Sequence, residues 1–207
     1  MTITGILCIL IFGISLWGFN SQTIFEKMMH YPYQEARDNS YYRFLTSIFL
    51  HGSWLHLLVN LFVFYTFGAA IENQFGHLFG PTMGRVNFLL LFLLSGVLAD
   101  LFTFRKHRDD PHFRSVGASG AISGVMFSYV LFYPLENLYL YGLIPIPGII
   151  VGVLYLWYSN YAAKKEGGRI DHSAHFYGAV AGVIFTIVVY PKVIMSFIQQ
   201  LLGVFGG

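Results

Sequence analysis

The chain has 207 residues, of which 56% are hydrophobic and only 11% are charged, whereas an ordinary soluble domain carries about 25% charged residues. So few polar groups cannot coat a water-soluble surface of this size, and the length fits one membrane domain over residues 1–207 with a core at about 40–190. The net charge of +2 is small and no basic stripe with interleaved aromatic residues occurs, so no nucleic-acid partner is expected.

Six segments approach the ~20 mostly apolar residues that a helix needs to cross a bilayer. They are residues 2–20, 54–73, 86–104, 118–135, 140–162 and 173–190, and none of them contains Lys or Arg. Because the alternating pattern of barrel strands does not occur, the sequence predicts an all-α membrane protein, a bundle of six transmembrane helices. The first segment lacks a basic leading stretch and a clear small-residue cleavage site, so it is expected to be a retained helix.

The connection between the first two segments, residues 21–52, is long and rich in Tyr, Phe and Met. Aromatic side chains settle at the depth of the lipid headgroups. This loop is therefore expected to lie in the membrane interface as short amphipathic helices rather than to project into water. By contrast, residues 105–116 are strongly polar and are expected to form an aqueous loop.

Polar residues inside apolar segments are the most informative, because burying an unpaired polar group costs several kcal/mol. In the second segment, His56 and Asn60 lie four positions apart and so share one helical face. His51 lies five before His56, which is poor spacing for two metal ligands on one helix. Taken alone, His56 and Asn60 fit a structural role, in which they hydrogen-bond to neighbouring helices, as well as they fit a functional one.

The fourth segment opens with Gly117-Ala-Ser119-Gly120 directly after the polar loop, so Ser119 lies near a helix N-terminus. The free N–H groups and the positive dipole end found there would stabilise an oxyanion that forms beside the serine. Gly120 and Gly124 form a small face that allows close helix packing. Serine and glycine in an apolar helix are also common packing residues, and that interpretation stays open for this segment alone.

In the sixth segment, His175 and Gly178 share one helical face that is otherwise lined by small residues. Such a face predicts close docking against another helix, and the Gly120 face of the fourth segment is the natural partner. That docking would bring the His175 ring to the Ser119 hydroxyl, and serine requires an adjacent base to become a useful nucleophile.

Two further polar residues, Asp171 and His172, precede His175 in the sixth segment. His172 is expected to be an exposed neighbour. A metal site built from Asp171, His172 and His175 is a minor alternative, and no metal or cofactor is expected. The metalloprotease pattern His-Glu-x-x-His does not occur in the chain.

The ordered set of these motifs resembles the rhomboid family of intramembrane serine proteases. The resemblance runs from about Tyr42 to Gly182. It is carried by Arg43-Phe-Leu-Thr-Ser-Ile-Phe-Leu-His51, His56-x-x-x-Asn60, Glu72-x-x-x-Gly76, Gly117-Ala-Ser119-Gly120 and Ala174-His175-x-x-Gly178-x-x-x-Gly182. Each piece is common, whereas the ordered set on the second, fourth and sixth segments is specific.

The resemblance implies a catalytic role for five groups. Ser119 would be the nucleophile, and His175 would be the general base and then the acid, without a third carboxylate. His56, Asn60 and the Ser119 backbone N–H would form the oxyanion hole. The substrates implied are single-pass or other transmembrane proteins in the lipid bilayer, and the location implied is a bacterial inner or plasma membrane.

The resemblance also implies supporting roles. Gly117 matches the glycine just before the active turn, and Gly120 and Gly178 match the small residues of the helix faces. Arg43 and Glu72 are expected to be architectural, and His51 to be structural.

The chain departs from the family pattern at two positions. Tyr42 stands where the family usually has Trp before the arginine of the first loop. Ser123 stands where the family normally has Tyr or Phe packed against the base. A small hydroxyl cannot fill that space, so another ring, such as Phe127 or Tyr177, is expected to compensate.

A substrate helix would enter sideways from the lipid and would need a locally unwound stretch, because a regular helix hides its carbonyls in backbone hydrogen bonds. The fifth segment contains Pro145, Gly148 and Gly152, which favours a loosely packed helix that could form a lateral gate. Two alternatives remain at this point. One is a rhomboid-like protein without activity that binds membrane clients, and the other is a small channel or transporter lined by intramembrane His and Asn.

The positive charges of the loops favour an orientation opposite to the one that the resemblance implies. The six-span form of the family has both chain ends in the cytoplasm and the active site towards the outside. Ten of the twelve Lys and Arg residues would then lie outside, against Arg85 and Lys192 inside. The positive-inside rule predicts the reverse.

Overall fold

The computed structural model describes residues 1–140, 143–163 and 171–203, and these are mostly helical. The helices are α1 (Ile3–Asn20), α2 (Gln22–Met28), α3 (Pro32–Asp38), α4 (Arg43–Thr46), a 3-10 turn (Ser47–Phe49), α5 (Trp54–Phe79), α6 (Pro81–His107), α7 (Ser119–Phe132), α8 (Gly148–Ala163), α9 (His172–Val189) and α10 (Lys192–Gly203). The strands β1 (Asn137–Leu140) and β2 (Ile144–Pro147) lie between α7 and α8.

Four of the described helices, α1, α5, α6 and α9, are long and apolar enough to cross a bilayer. They correspond to the first, second, third and sixth predicted segments. The fourth and fifth segments correspond to α7 and α8, which have 14 and 16 residues and are shorter than a lipid-exposed span requires.

The prediction of one helix over residues 140–162 is wrong at its start, although the described residues are mostly helical, as predicted. β1 and β2 pair in an antiparallel hairpin in which Tyr139 lies opposite Pro145. Prolines have no backbone N–H and interrupt a helix, so Pro145 and Pro147 are accommodated in the strand and the helix begins at Gly148. Pro145 is therefore not part of the fifth helix.

The connection between α1 and α5 consists of short helices, as predicted, and the buried side chain of Arg43 holds them together. Its guanidinium group donates to the backbone oxygens of Glu26, at 2.6 Å, and Met29, at 2.9 Å, and to the Ser40 hydroxyl at 3.1 Å. These bonds tie α4 to the end of α2 and to the turn before α4.

Glu72, buried in α5, ties α1 to the bundle. Its carboxylate accepts hydrogen bonds from the N–H groups of Ile3, at 2.7 Å, and Thr4, at 2.8 Å, and from the Thr4 hydroxyl at 2.7 Å. The first N–H groups of a helix have no partner within the helix, and an anion is favourable beside them. Glu72 therefore caps a helix that lies 68 positions away in sequence.

Helix α7 lies at the centre of the bundle, and every residue from Gly120 to Ser128 is buried. It packs on α9 through two pairs of glycines. A β carbon at Gly178 would overlap the backbone of Gly120, and one at Gly182 would overlap the backbone of Gly124. The predicted contact between the glycine faces of these two helices is thus present, and it fixes how closely the helices approach.

Candidate active site

The structure brings Ser119 and His175 together. Ser119 is the first residue of α7, and His175 lies in the first turn of α9. The hydroxyl oxygen of Ser119 is 2.7 Å from Nε2 of His175, within hydrogen-bond reach. With Nε2 unprotonated, the serine donates to the imidazole, which is the arrangement that a serine needs in order to act as a nucleophile.

Asp171 fixes the start of α9, and with it the place of His175. One carboxylate oxygen accepts from the Ala174 N–H at 2.9 Å and the other from the Thr103 hydroxyl of α6 at 2.7 Å. An aspartate three residues before the bonded N–H is a common N-cap, so the sequence itself indicates this role for Asp171. Within residues 1–140, 143–163 and 171–203, no three His, Cys, Asp or Glu side chains are placed to hold a metal ion.

His172 is a neighbour of His175, as predicted, but it is half-buried rather than exposed. Its ring lies edge-on to that of His175, with 5.6 Å between the ring centroids, and edge-on to Tyr158 of α8 at 5.5 Å. The His172 ring therefore packs against both His175 and α8.

The loop before Ser119 is tied to the connection between α1 and α5 by backbone hydrogen bonds. His30 and Ser115 exchange two bonds of 3.0 Å, and the Gly117 N–H donates to the Ser47 carbonyl at 3.1 Å. These bonds hold the loop in one path as it reaches the serine.

The His51 side chain also holds this loop, and its two hydrogen bonds require one particular tautomer of the ring. The Ser15 hydroxyl donates to the Phe49 carbonyl, so Nδ1 of His51, 2.9 Å from the same hydroxyl, is the donor of that bond. Nε2 of His51 is then free to accept from the Ala118 N–H at 3.5 Å. Ser15, on α1, has no motif around it that would have pointed to this contact.

Gly117 and His56 meet beside the serine. Gly117 has a φ of 134°, a backbone conformation that residues other than glycine rarely adopt. A β carbon at this position would lie 2.7 Å from Cε1 of His56. The His56 ring therefore covers the backbone that leads into Ser119. Asn60, one turn further along α5 and buried, donates from its amide to the His56 carbonyl at 2.9 Å.

An aromatic ring does pack against His175, as expected, but among the described residues it is that of Tyr155 and not of Phe127 or Tyr177. Tyr177 stacks on Phe102 of α6 with 4.0 Å between the centroids. Tyr155, on α8, stands against the base instead, with its ring 6.0 Å from that of His175 and inclined by 20°. Gly148, Gly152 and Tyr155 share one helical face, and this pattern in the sequence indicates the side of α8 that faces the bundle.

The arrangement can support acyl transfer. A hydroxyl and an imidazole in contact can exchange a proton, and the N-terminus of α7 provides free N–H groups beside the reacting oxygen. His56 and Asn60 lie on the α5 side of the same loop. A negative charge that develops next to Ser119 would thus find N–H donors at the start of α7.

Comparison with known proteins agrees with this architecture. The rhomboid domain model matches residues 38–192, well over half of the chain. The chain is 27% identical over 181 residues to the rhomboid protease GlpG of Haemophilus influenzae, an alignment that covers 86% of this chain and 84% of that protein.

Relatives from other sources also match. The putative rhomboid protease YdcA of Bacillus subtilis is 27% identical over 155 residues, which covers 75% of this chain and 70% of that protein. The mitochondrial RHOMBOID-like protein 12 of Arabidopsis thaliana is 25% identical over 173 residues, and the alignment spans 80% of this chain and 51% of that protein. With four long apolar helices among the residues that the structure describes, the chain is an integral membrane protein that belongs to the rhomboid family.

Proposed function

We propose that this protein is an intramembrane serine endopeptidase that cleaves the transmembrane helices of membrane proteins through Ser119 and His175. The observation that carries the proposal is the 2.7 Å contact between the serine hydroxyl and Nε2 of His175, made by residues 56 positions apart on two helices locked by glycines. Two polar side chains that are part-buried in an apolar bundle are costly unless they are used or paired.

In this proposal His175 takes the Ser119 proton as Oγ attacks the scissile carbonyl. The tetrahedral oxyanion is stabilised by the Ser119 N–H and by the side chains of His56 and Asn60. Collapse of the intermediate breaks the peptide C–N bond, and His175 returns its proton to the leaving amine. Water, deprotonated by His175, then attacks the acyl-enzyme and releases the second product and free Ser119.

We also propose a six-span topology in which α7 and α8 complete the bundle. At 1.5 Å per residue, α7 is about 21 Å long and does not reach across a hydrocarbon core of about 30 Å. Because α7 is surrounded by protein, its length need not match the lipid. A short central helix places Ser119 below the membrane surface, where a polar loop can still admit water.

The substrates in this proposal are single-pass or other transmembrane proteins, and α8 is the gate through which their helices enter. Its outward side is apolar and exposed, with Val153, Leu154 and Trp157 each more than half exposed. We place the protein in a bacterial inner or plasma membrane, because the bacterial GlpG and YdcA are aligned over 84% and 70% of their lengths. The relative from a plant mitochondrion is aligned over only 51%.

Labelling with a fluorophosphonate probe tests the activity directly. The wild-type chain in detergent should be labelled covalently, while Ser119→Ala should not be labelled and should not cleave a model transmembrane substrate in liposomes. His175→Ala should lower both rates by about 100-fold or more, the contribution of a general base. A folded wild-type protein that resists the probe and spares every substrate would instead fit a client-binding protein or a channel.

A further inference from the structure

The ring that packs against His175 comes from α8, not from the helix that carries the serine. The Tyr155 and His175 rings are 6.0 Å apart and nearly parallel, at 20°, which is the range of offset-stacked aromatic pairs. We propose that Tyr155 is the positioning residue for His175 and that Ser123 holds it in place. This inference rests on the proposed function of Ser119 and His175.

The two hydrogen bonds of Ser123 each have a defined donor and acceptor. Its hydroxyl oxygen lies 2.7 Å from the Ser119 carbonyl and 2.6 Å from the Tyr155 hydroxyl. A carbonyl only accepts, and a serine hydroxyl has one proton to donate, so Ser123 donates to Ser119 and Tyr155 donates to Ser123. Tyr155 is thus bonded through Ser123 to the same residue whose side chain meets His175.

A small residue at 123 is what makes this arrangement fit. A large ring at position 123 of α7 would occupy the space that the Tyr155 hydroxyl enters from α8. Phe127, one turn further along α7, packs against Tyr155 with 5.9 Å between the centroids. Gly152, one turn before Tyr155, faces Phe127 closely enough that a β carbon there would lie 3.4 Å from its ring. The inner face of α8 is therefore shaped to bring Tyr155 to the base.

The position of the base then depends on the position of α8. The serine and the histidine are locked together by the glycine contacts of α7 and α9, but the ring that orients the histidine is on a third helix. If α8 moves away from α7, the stack on His175 and the bond to Ser123 are lost together. The dyad is fully aligned only when α8 is seated against α7, so displacement of α8 and alignment of the base are coupled.

The test compares the rate of fluorophosphonate labelling, and kcat and KM for a model transmembrane substrate, in the purified full chain. Tyr155→Ala should lower the labelling rate and kcat about tenfold or more, since small misplacements of catalytic groups are costly, and should leave KM within about twofold. Tyr155→Phe keeps the ring but loses the hydroxyl that bonds to Ser123, so it should recover only part of the loss. The matched control is Tyr65→Ala, which removes a ring of the same type that is 62% exposed on α5 and should be labelled at the wild-type rate.

A double-mutant cycle tests the hydrogen bond separately. Ser123→Ala and Tyr155→Phe each delete the same bond, so the two losses should be similar and the double variant should be no slower than either. If the loss of activity in the double variant equals the sum of the two single losses, the role of Ser123 is overturned.

The outcomes separate this inference from the proposed function. A wild-type rate for Tyr155→Ala, or equal losses for Tyr155→Ala and Tyr65→Ala, would overturn the positioning role while the labelled wild type upholds the protease. An unlabelled wild type would overturn both. If Tyr155→Ala fails to fold, Tyr155→Phe and Ser123→Ala still decide through the cycle.

Discussion

Gly178 of α9 lies so close to the backbone of Gly120 in α7 that a β carbon at position 178 would overlap the carbonyl group. These helices carry His175 and Ser119, so the glycine contact sets the distance between the two side chains. Because the obstacle is backbone and not the end of a flexible side chain, the helices would have to separate to admit any larger residue.

Gly178→Ala should therefore lower both stability and activity. Overpacking of a close contact costs about 1–3 kcal/mol in the free energy of unfolding, and the separation of the dyad should slow probe labelling by about 100-fold. Thermal unfolding in detergent and the labelling rate check the two effects. The control is Gly13→Ala in α1, where a β carbon meets nothing within 4 Å, and equal behaviour of the two variants would contradict the prediction.

Gly117→Ala should reduce activity more than stability. The substitution places a side chain at a φ of 134° and against the His56 ring, so the backbone before Ser119 must shift. Loss of one oxyanion donor costs about 100-fold to 1,000-fold in kcat, and a displaced Ser119 N–H is such a loss.

Gly52→Ala is the matched control for Gly117→Ala. A β carbon at Gly52 meets only Val116, at an ordinary 3.8 Å, and the backbone there has no positive φ. Cleavage of a model substrate by both variants measures the difference. Full activity in Gly117→Ala would show that the loop tolerates another path and that His56 does not need to approach it.

The meeting of Ser119 with His175 could be predicted from helical periodicity once the small-residue faces of the fourth and sixth segments are paired. Small residues at i and i+4 on two segments define faces that can only be satisfied by close packing, and the polar side chain at the end of each face comes with it. The N-cap at Asp171 was equally readable. Local rules of this kind do not require knowledge of the rest of the fold.

The contact of Tyr155 with His175 could not be predicted, because the face shared by Gly148, Gly152 and Tyr155 indicates only which side of α8 is inward, and the residue that this side meets depends on how α8 is placed against α7 and α9. The start of α8 was misplaced, since an apolar run that contains Pro145 and Pro147 has the hydropathy of a span but cannot form a helix there. The shortness of α7 was missed for a related reason. Composition does not distinguish a helix surrounded by protein from one surrounded by lipid.

Glu72→Ala should detach the start of α1 and lower the stability of the protein. The carboxylate accepts three hydrogen bonds, and removal of it leaves the N–H groups of Ile3 and Thr4 without their partner. A buried donor left unsatisfied costs about 1–3 kcal/mol. Glu72→Gln keeps one oxygen but turns an NH₂ towards other donors, so its loss should be intermediate.

The thermal midpoint in detergent measures the effect of both Glu72 variants. Glu26→Ala is the control, because Glu26 is exposed and its carboxylate bonds only to Gln22 within the same turn of α2. If Glu72→Ala has the same thermal midpoint as Glu26→Ala, the capping bonds contribute nothing to stability.

His30 should make the stability of the first loop depend on pH. Nδ1 of His30 is 2.8 Å from the Glu35 carboxylate, and both side chains are fully buried. Burial lowers the pKa of His30, but the carboxyl groups of Asp100, Glu35 and Asp171 outweigh it, and the pKa lies above its ordinary value. The protonated form is therefore the one that the folded state favours.

The raised pKa fixes the sign of the effect. Stabilisation by protonated His30 is fully present below the unfolded-state pKa of about 6.5 and is lost as pH rises through the higher folded-state pKa. The difference in the free energy of unfolding between wild type and His30→Gln, from denaturation in detergent at several pH values, should shrink as pH rises. His77→Gln, at an exposed histidine near the end of α5, should show no such trend. A difference that grows with pH would mean that burial outweighs the three carboxyl groups and that the neutral imidazole is the native form.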